Sequence, residues 1–208
     1  MRTFFTFLFV LTVGASASAQ LEAAFSYGYR FGGNLPVWVD NSYGELRVNA
    51  SDAFTGDVRY RLGETTLTAS YTRQSSSVDL VGSGFFDRET LFDANIEYIT
   101  VGGCRGASAN TGFNPFTCME LGVGILTPQD ANLLDEIKLS AKLSGGFNYF
   151  FTERVGLRMS LGILSPLQFG SAGVFCGGGG CDIGVGGSSQ IVQGDLSGGI
   201  VVRLQGND

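Results

Sequence analysis

A chain of 208 residues, 44% hydrophobic, with 32 glycines and only 4 prolines has room for one folded domain and does not resemble a disordered linker. Its formal charge of −6 and its lack of histidine argue against a nucleic-acid partner. They also remove most histidine-dependent catalysis and the commonest metal ligand.

The chain opens with Arg2, an apolar run from Phe4 to Val13, and the small residues Ala17-Ser18-Ala19. This is the pattern of a cleaved secretory signal over residues 1–19, with Gln20 first in the mature chain. The apolar run is about half the length a membrane-spanning helix requires. No cysteine follows it to accept a lipid. Residues 20–208 are therefore expected as one exported domain.

No later segment is apolar enough for a spanning helix. Alternation of period two recurs instead, in segments of about 10 residues, the signature of transmembrane β-strands. The first segment, Leu21 to Gly32, sets Leu21, Ala23, Phe25, Tyr27, Tyr29 and Phe31 against Glu22, Ser26, Gly28 and Arg30. The second, from Phe54 to Leu62, sets Phe54, Val58, Tyr60 and Leu62 against Asp57, Arg59 and Arg61. The third alternates Leu67, Ala69 and Tyr71 with Thr66, Thr68, Ser70 and Thr72. The fourth sets Phe92, Ala94, Ile96 and Tyr98 against Asp93, Asn95 and Glu97.

The fifth sets Met119, Leu121, Val123 and Ile125 against Glu120, Gly122 and Gly124. The sixth, from Ile137 to Phe151, sets Leu139, Ala141, Leu143, Phe147 and Tyr149 against Lys138, Ser140, Lys142, Gly146 and Asn148. The seventh sets Val155, Leu157, Met159, Leu161 and Ile163 against Gly156, Arg158, Ser160 and Gly162. The eighth sets Leu196, Ile200, Val202 and Leu204 against Asp195, Ser197, Gly199 and Arg203.

Eight strands predict an all-β, antiparallel up-and-down barrel with the apolar face toward lipid. Short links follow the second and sixth strands, and long ones the first, third and seventh, as short periplasmic turns and long outer loops require. The link from Gly102 to Cys118 is long where a short turn is expected. The alternative is a soluble barrel of the lipocalin kind, its apolar face turned inward around a ligand. Two aromatic clusters favour the membrane reading: Tyr149, Phe150 and Phe151 as an interface girdle, and Tyr27, Tyr29 and Phe31 in the same role. Glycines on the polar face, among them Gly122 and Gly162, are expected to make room for long charged side chains.

The segment Ser197-Gly198-Gly199-Ile200-Val201-Val202-Arg203-Leu204 resembles the C-terminal assembly signal of the small outer-membrane β-barrel superfamily, the group with OmpA-like and OmpX-like barrel domains. That signal ends on an aromatic residue, where this chain has Leu204 followed by Gln205 to Asp208. Tyr27-Gly28-Tyr29-Arg30-Phe31-Gly32-Gly33 is similar to the first strand of uncharacterised members. The resemblance covers about residues 21 to 204. It implies the cell outer membrane as location, with outer-membrane lipid and lipopolysaccharide as surroundings. It also implies contact with the assembly machinery through Ser197 to Leu204, and a monomer.

Candidate functional residues fall in two sets. Cys104, Cys118, Cys176 and Cys181 allow up to two disulfides in an oxidising compartment. Cys176 and Cys181 would close a glycine loop, and Cys104 and Cys118 would pin the base of the long link. Free thiols are the other reading. Zinc fits neither spacing, and no cofactor, metal site or catalytic group is expected. The run from Gly177 to Asp182 matches one copy of a calcium-binding repeat that functions only when stacked.

The second set is a lumen network of Arg30, Asp57, Arg59, Arg61, Glu97, Glu120, Lys142, Arg158, Asp195 and Arg203. Paired, these charges plug an eight-stranded barrel, whose interior just holds its own side chains; rearranged, they line a narrow pore. Leu35-Pro36-Val37-Trp38-Val39 is either a contact patch or loop packing. Asp87, Glu89, Asp130, Asp135 and Glu136 are solvated surface or bridges to lipopolysaccharide through divalent ions. The expected function is a non-enzymatic barrel with a structural or surface-interaction role. The alternatives are a narrow diffusion channel and a soluble periplasmic binder.

Overall fold

A computed structural model describes residues 21–39, 42–62, 65–82, 88–107, 111–130, 134–166, 173–177, 180–184 and 192–204. The expected signal segment, residues 1–19, lies outside them. Twelve strands are present: β1 (Leu21–Phe31), β2 (Asn34–Val39), β3 (Ser42–Val48), β4 (Ser51–Leu62), β5 (Thr65–Gly82), β6 (Glu89–Gly106), β7 (Gly112–Pro128), β8 (Glu136–Phe150), β9 (Val155–Pro166), β10 (Gly173–Gly177), β11 (Gly180–Gly184) and β12 (Gln193–Arg203).

Eight of them close into an antiparallel ring in the order β1-β4-β5-β6-β7-β8-β9-β12, with β12 returning to pair with β1. Closure leaves these strands no open edge. Both chain ends of the barrel, Leu21 and Arg203, lie at the end that carries the short β4–β5 and β8–β9 turns. We refer to this as the turn end and to the opposite one as the loop end.

Period-two alternation resolves into two faces. The outward face is apolar around the ring: Phe25, Leu121, Leu139, Leu161 and Ile200 are each more than half exposed. So large an apolar surface is sustained by lipid and not by water. The soluble alternative required these residues inside, and they are outside. Aromatic rings mark both margins. Phe113 meets Phe147 at 4.8 Å and Tyr149 meets Phe151 at 5.4 Å near the turn end, while Phe54 meets Phe25 and Tyr71, each at 6.2 Å, on the other side.

Three expectations change. Phe150 is not part of the outer girdle: in phase with Lys142 and Asn148 it points inward and is 2% exposed. The long link after the fourth predicted strand shrinks to residues 107–111, because β6 runs on to Gly106 and β7 starts at Gly112. Cys104 and Cys118 are direct cross-strand partners in this hairpin, joined by a disulfide with a Cα–Cα distance of 4.0 Å. The first long loop is likewise largely strand, since β2 and β3 form a hairpin and β3 takes the place of β4 beside residues 78–82 of β5. Side chains 35–39, including Trp38, lie outside the description.

β6 carries the largest change. Ala94, Ile96, Tyr98 and Thr100 face inward and are buried, whereas Ile99 and Val101 face outward at 50% and 60% exposure. The apolar residues Ala94, Ile96 and Tyr98 were expected toward lipid and line the lumen instead. Asp93 and Glu97, in the opposite phase, face outward.

The glycines have mixed causes. A Cβ at Gly122 would lie 1.9 Å from the carbonyl oxygen of Ile99, so the requirement there is close strand approach, not space for a charge. At Gly162 it would meet the Asp195 carboxylate at 3.2 Å, which is the role expected from the sequence.

Candidate functional site: the barrel lumen

The inward face of the turn-end half is built from charges that neighbouring strands bring together. Asp57 of β4 accepts from Arg59 Nε at 3.0 Å and also from Nη1 of Arg158, which arrives from β9. Arg158 Nε in turn donates to Asn148 at 2.8 Å. Phe116 lies between the two guanidinium groups, its ring 4.1 Å from Arg59 and 5.3 Å from Arg158. One carboxylate thus holds two cations, and the aromatic face supplies the remaining stabilisation.

A second group centres on Glu120 of β7. Ser70 and Thr100 donate to the same carboxylate oxygen at 2.7 and 2.6 Å, and Lys142 stands 3.8 Å from the other. Nearest the turn end, Arg203 donates to Glu22 at 3.0 Å and stacks 3.7 Å above the ring of Phe150. Arg61 lines the same mouth, beside Glu22, Arg59 and Arg203. Burying ions is tolerable here because opposite charges are paired and hydrogen bonds meet most of the buried polar atoms.

Toward the loop end, Arg30 and Asp195 are cross-strand partners whose charges stand 3.8 Å apart. Arg30 also lies 5.1 Å from the ring of Tyr98. The Tyr98 hydroxyl donates to Gln193 at 3.1 Å, Gln193 to Gln74 at 3.4 Å, and Gln74 to Ser51 at 2.9 Å. β6 and β12 stand opposite each other in the ring, so the Tyr98–Gln193 bond crosses the whole lumen. Next to it Ile96, Tyr98 and Leu164 form an apolar cluster, with Val48 and Leu126 packed against it. In the loop-end half of the lumen this apolar cluster therefore stands beside the Arg30–Asp195 pair and the two glutamines.

Arg30 is fully buried, and none of its three side-chain nitrogens has a hydrogen-bond partner; Nη2 of Arg158 and the hydroxyls of Thr68 and Ser140 are in the same position. Buried polar groups of this kind are ordinarily satisfied by water.

Of the residues expected in this network, nine converge on the lumen, and Glu97 does not. It is on the outer surface, accepting from Tyr71 Oη at 2.8 Å and facing Arg73 at 3.6 Å. The phase of β6 is set by Ile99 and Val101, which must meet lipid, and Glu97 shares that phase. Of the expected disulfides, Cys104–Cys118 is present. Cys176 and Cys181 are opposite each other in the β10–β11 register, and their side chains lie outside the description.

Sequence reasoning missed Phe116, Phe150, Tyr98, Gln74 and Gln193. Strict extension of the alternation would have found Phe116, which is in phase with Cys118 and Glu120, and Phe150, in phase with Asn148. Nothing in the sequence signals that Tyr98 meets Gln193.

A closed ring of eight antiparallel strands, apolar outside and charged within, is the architecture of the small outer-membrane β-barrels. The fold is similar to that of Neisserial surface protein A (NspA), with a TM-score of 0.55 at 12% identity over 90% of this chain and 98% of that one. It is similar also to the outer membrane protein OprG from Pseudomonas aeruginosa, with a TM-score of 0.56 at 12% identity over 90% and 95%. At this identity the likeness concerns the fold alone. No protein-family model matches the sequence, and neither does any curated protein.

Proposed function

We propose that the chain is a non-enzymatic barrel of the outer membrane whose lumen is closed by its own side chains, and which acts through structure or surface contacts. The observation that carries this reading is the Tyr98–Gln193 hydrogen bond between opposite strands, at 3.1 Å. A bond across the lumen supports a closed axis, and the apolar cluster beside it favours exclusion of water. The exposed apolar belt supplies the membrane part of the reading, and export would follow from the signal segment. Outer-membrane lipid forms its surroundings, and Ser197 to Leu204 are the strand offered to the assembly machinery.

Planar-bilayer recording of the folded protein tests it. The expected result is silence, with discrete ion steps appearing once Tyr98→Ala and Gln193→Ala are combined. Steps from the unmodified protein would overturn the reading and favour a narrow channel. That second reading draws on one observation, the unpartnered nitrogens of Arg30, which call for water inside the barrel.

A further inference from the structure

Two bends meet on the outside of the barrel at the loop end. β1 turns into β2 through Gly32 and Gly33, whose φ angles of 82° and 112° exclude ordinary side chains at little cost only to glycine. β3 turns into β4 through Asn49 and Ala50. The bends are tied together and to β5, because Val48 N donates to Gly33 O and Asn49 N to Ser77 O, each at 2.9 Å. Between them lies a cleft of about 500 Å³, lined by Tyr29, Gly32, Asn34, Arg47, Asn49 and Arg88. Its lower wall, Tyr29, belongs to the outward aromatic margin of the apolar belt and is half exposed.

The polar wall of this cleft is built, not incidental. Asp79 is 1% exposed and accepts from Asn49 Nδ2 at 2.8 Å and from Nε of Arg88, while Nη2 of Arg88 donates to Asn49 Oδ1. Burial raises the Asp79 carboxyl, but hydrogen bonds from Asn49, Arg88 and Thr90 outweigh it and hold the group below the ordinary carboxylate range. A buried carboxyl therefore fixes an arginine whose side chain is 56% exposed. Arg47 is the cross-strand partner of both Asn34 and Asp79, and among the described residues it pairs with Glu45 at 3.7 Å. In a chain of net charge −6, two partly exposed arginines line one cleft.

We propose that this cleft binds a phosphorylated saccharide, such as the headgroup of a lipid whose chains lie against the apolar belt. Guanidinium forks pair with phosphate oxygens. The asparagine amides suit sugar hydroxyls, and the volume falls in the range of small-molecule sites, well above the need of phosphate alone. The lipid-borne source rests on the membrane reading given above; the phosphosugar chemistry does not.

The test uses the full folded protein in detergent, with heat-dependent gel mobility to confirm folding of each variant. Binding is measured to soluble glucosamine phosphate, to phosphatidylcholine vesicles containing bisphosphorylated lipid A, and to vesicles in which the lipid A is dephosphorylated. Arg47→Gln and Arg88→Gln are each expected to weaken the phosphorylated ligands about tenfold, as loss of one charge-assisted contact does. Arg154→Gln, in the exposed turn at the opposite end, leaves binding unchanged. Because Arg88 also covers Asp79, Arg47→Gln is the decisive variant. Unaltered affinity in a folded Arg47→Gln protein, or equal affinity for phosphorylated and dephosphorylated lipid, overturns the proposal. Equal binding of soluble and lipid-borne phosphosugar supports the cleft and assigns it to a soluble ligand. Arginine-dependent binding of the soluble sugar by a protein that fails to enter vesicles also supports the cleft, while ending the membrane reading.

Discussion

The turn-end wall and the upper β5–β6 hairpin follow the same geometry with different chemistry. Near the turn end, inward positions hold Glu22, Asp57, Arg59, Arg158 and Arg203, and outward positions hold Val58, Leu157 and Ile200. Along the upper β5–β6 hairpin, inward positions hold Val78, Ala94 and Ile96 with the uncharged polar residues Gln74 and Ser76. Outward positions hold Arg73, Ser75, Asn95 and Glu97, with Ser75 donating to Asn95 at 2.8 Å and Glu97 facing Arg73. Strand phase does not slip between the two, since Ala94, Ile96, Tyr98 and Thr100 all point inward in sequence. What changes is the medium outside. Where the wall meets lipid, charge is driven inward; where it stands beyond the aromatic margin, water takes the charge and uncharged side chains line the interior of the hairpin. Alternation therefore reports that a segment has two faces, and the surroundings decide which face is which.

The comparison breaks most visibly at Asp57. Replacing it with alanine leaves Arg59 and Arg158 buried without their shared carboxylate, and loss of one partner from a buried pair costs about 3–5 kcal/mol. Urea unfolding from lipid vesicles is expected to show a loss on this scale, partly recovered when Arg158→Met is added. An unchanged midpoint for Asp57→Ala would mean that water already screens the group.

A smaller effect separates the two outer surfaces. Leu121→Arg, on the lipid-facing belt, is expected to cost about 2–4 kcal/mol if it lies near the bilayer midplane, and Ser75→Arg about 0–1 kcal/mol in the same assay. Similar losses at both positions would show that the upper β5–β6 hairpin is also embedded.

The smallest effect belongs to Glu97. Its pair with Arg73 is partly exposed on both sides, so Glu97→Gln is expected to cost less than about 1 kcal/mol. A loss as large as that at Asp57 would place Glu97 energetically with the lumen after all.

Much of the wall was legible from residue order. β1, β4, β8, β9 and β12 follow their predicted phase because each lies mainly within the belt, where lipid enforces a clean separation of faces. β6 was misassigned because its most regular stretch, Phe92 to Tyr98, lies beyond that belt, where the outward face meets water and need not be apolar. β7 was started too late because Phe116 and Cys118 read as loop, and pairing with residues 104–106 of β6 and 144–146 of β8 makes them strand.

Composition and period by themselves determined that this chain forms about eight amphipathic antiparallel strands, since a period of two admits no other regular element and repeated segments of that length have to close. The tertiary structure alone decided which charges meet. Asp57 joins Arg158 from a strand 101 residues away, and Tyr98 reaches Gln193 across the lumen. Such contacts depend on shear and on the order of strands around the ring, and neither leaves a local trace in the sequence.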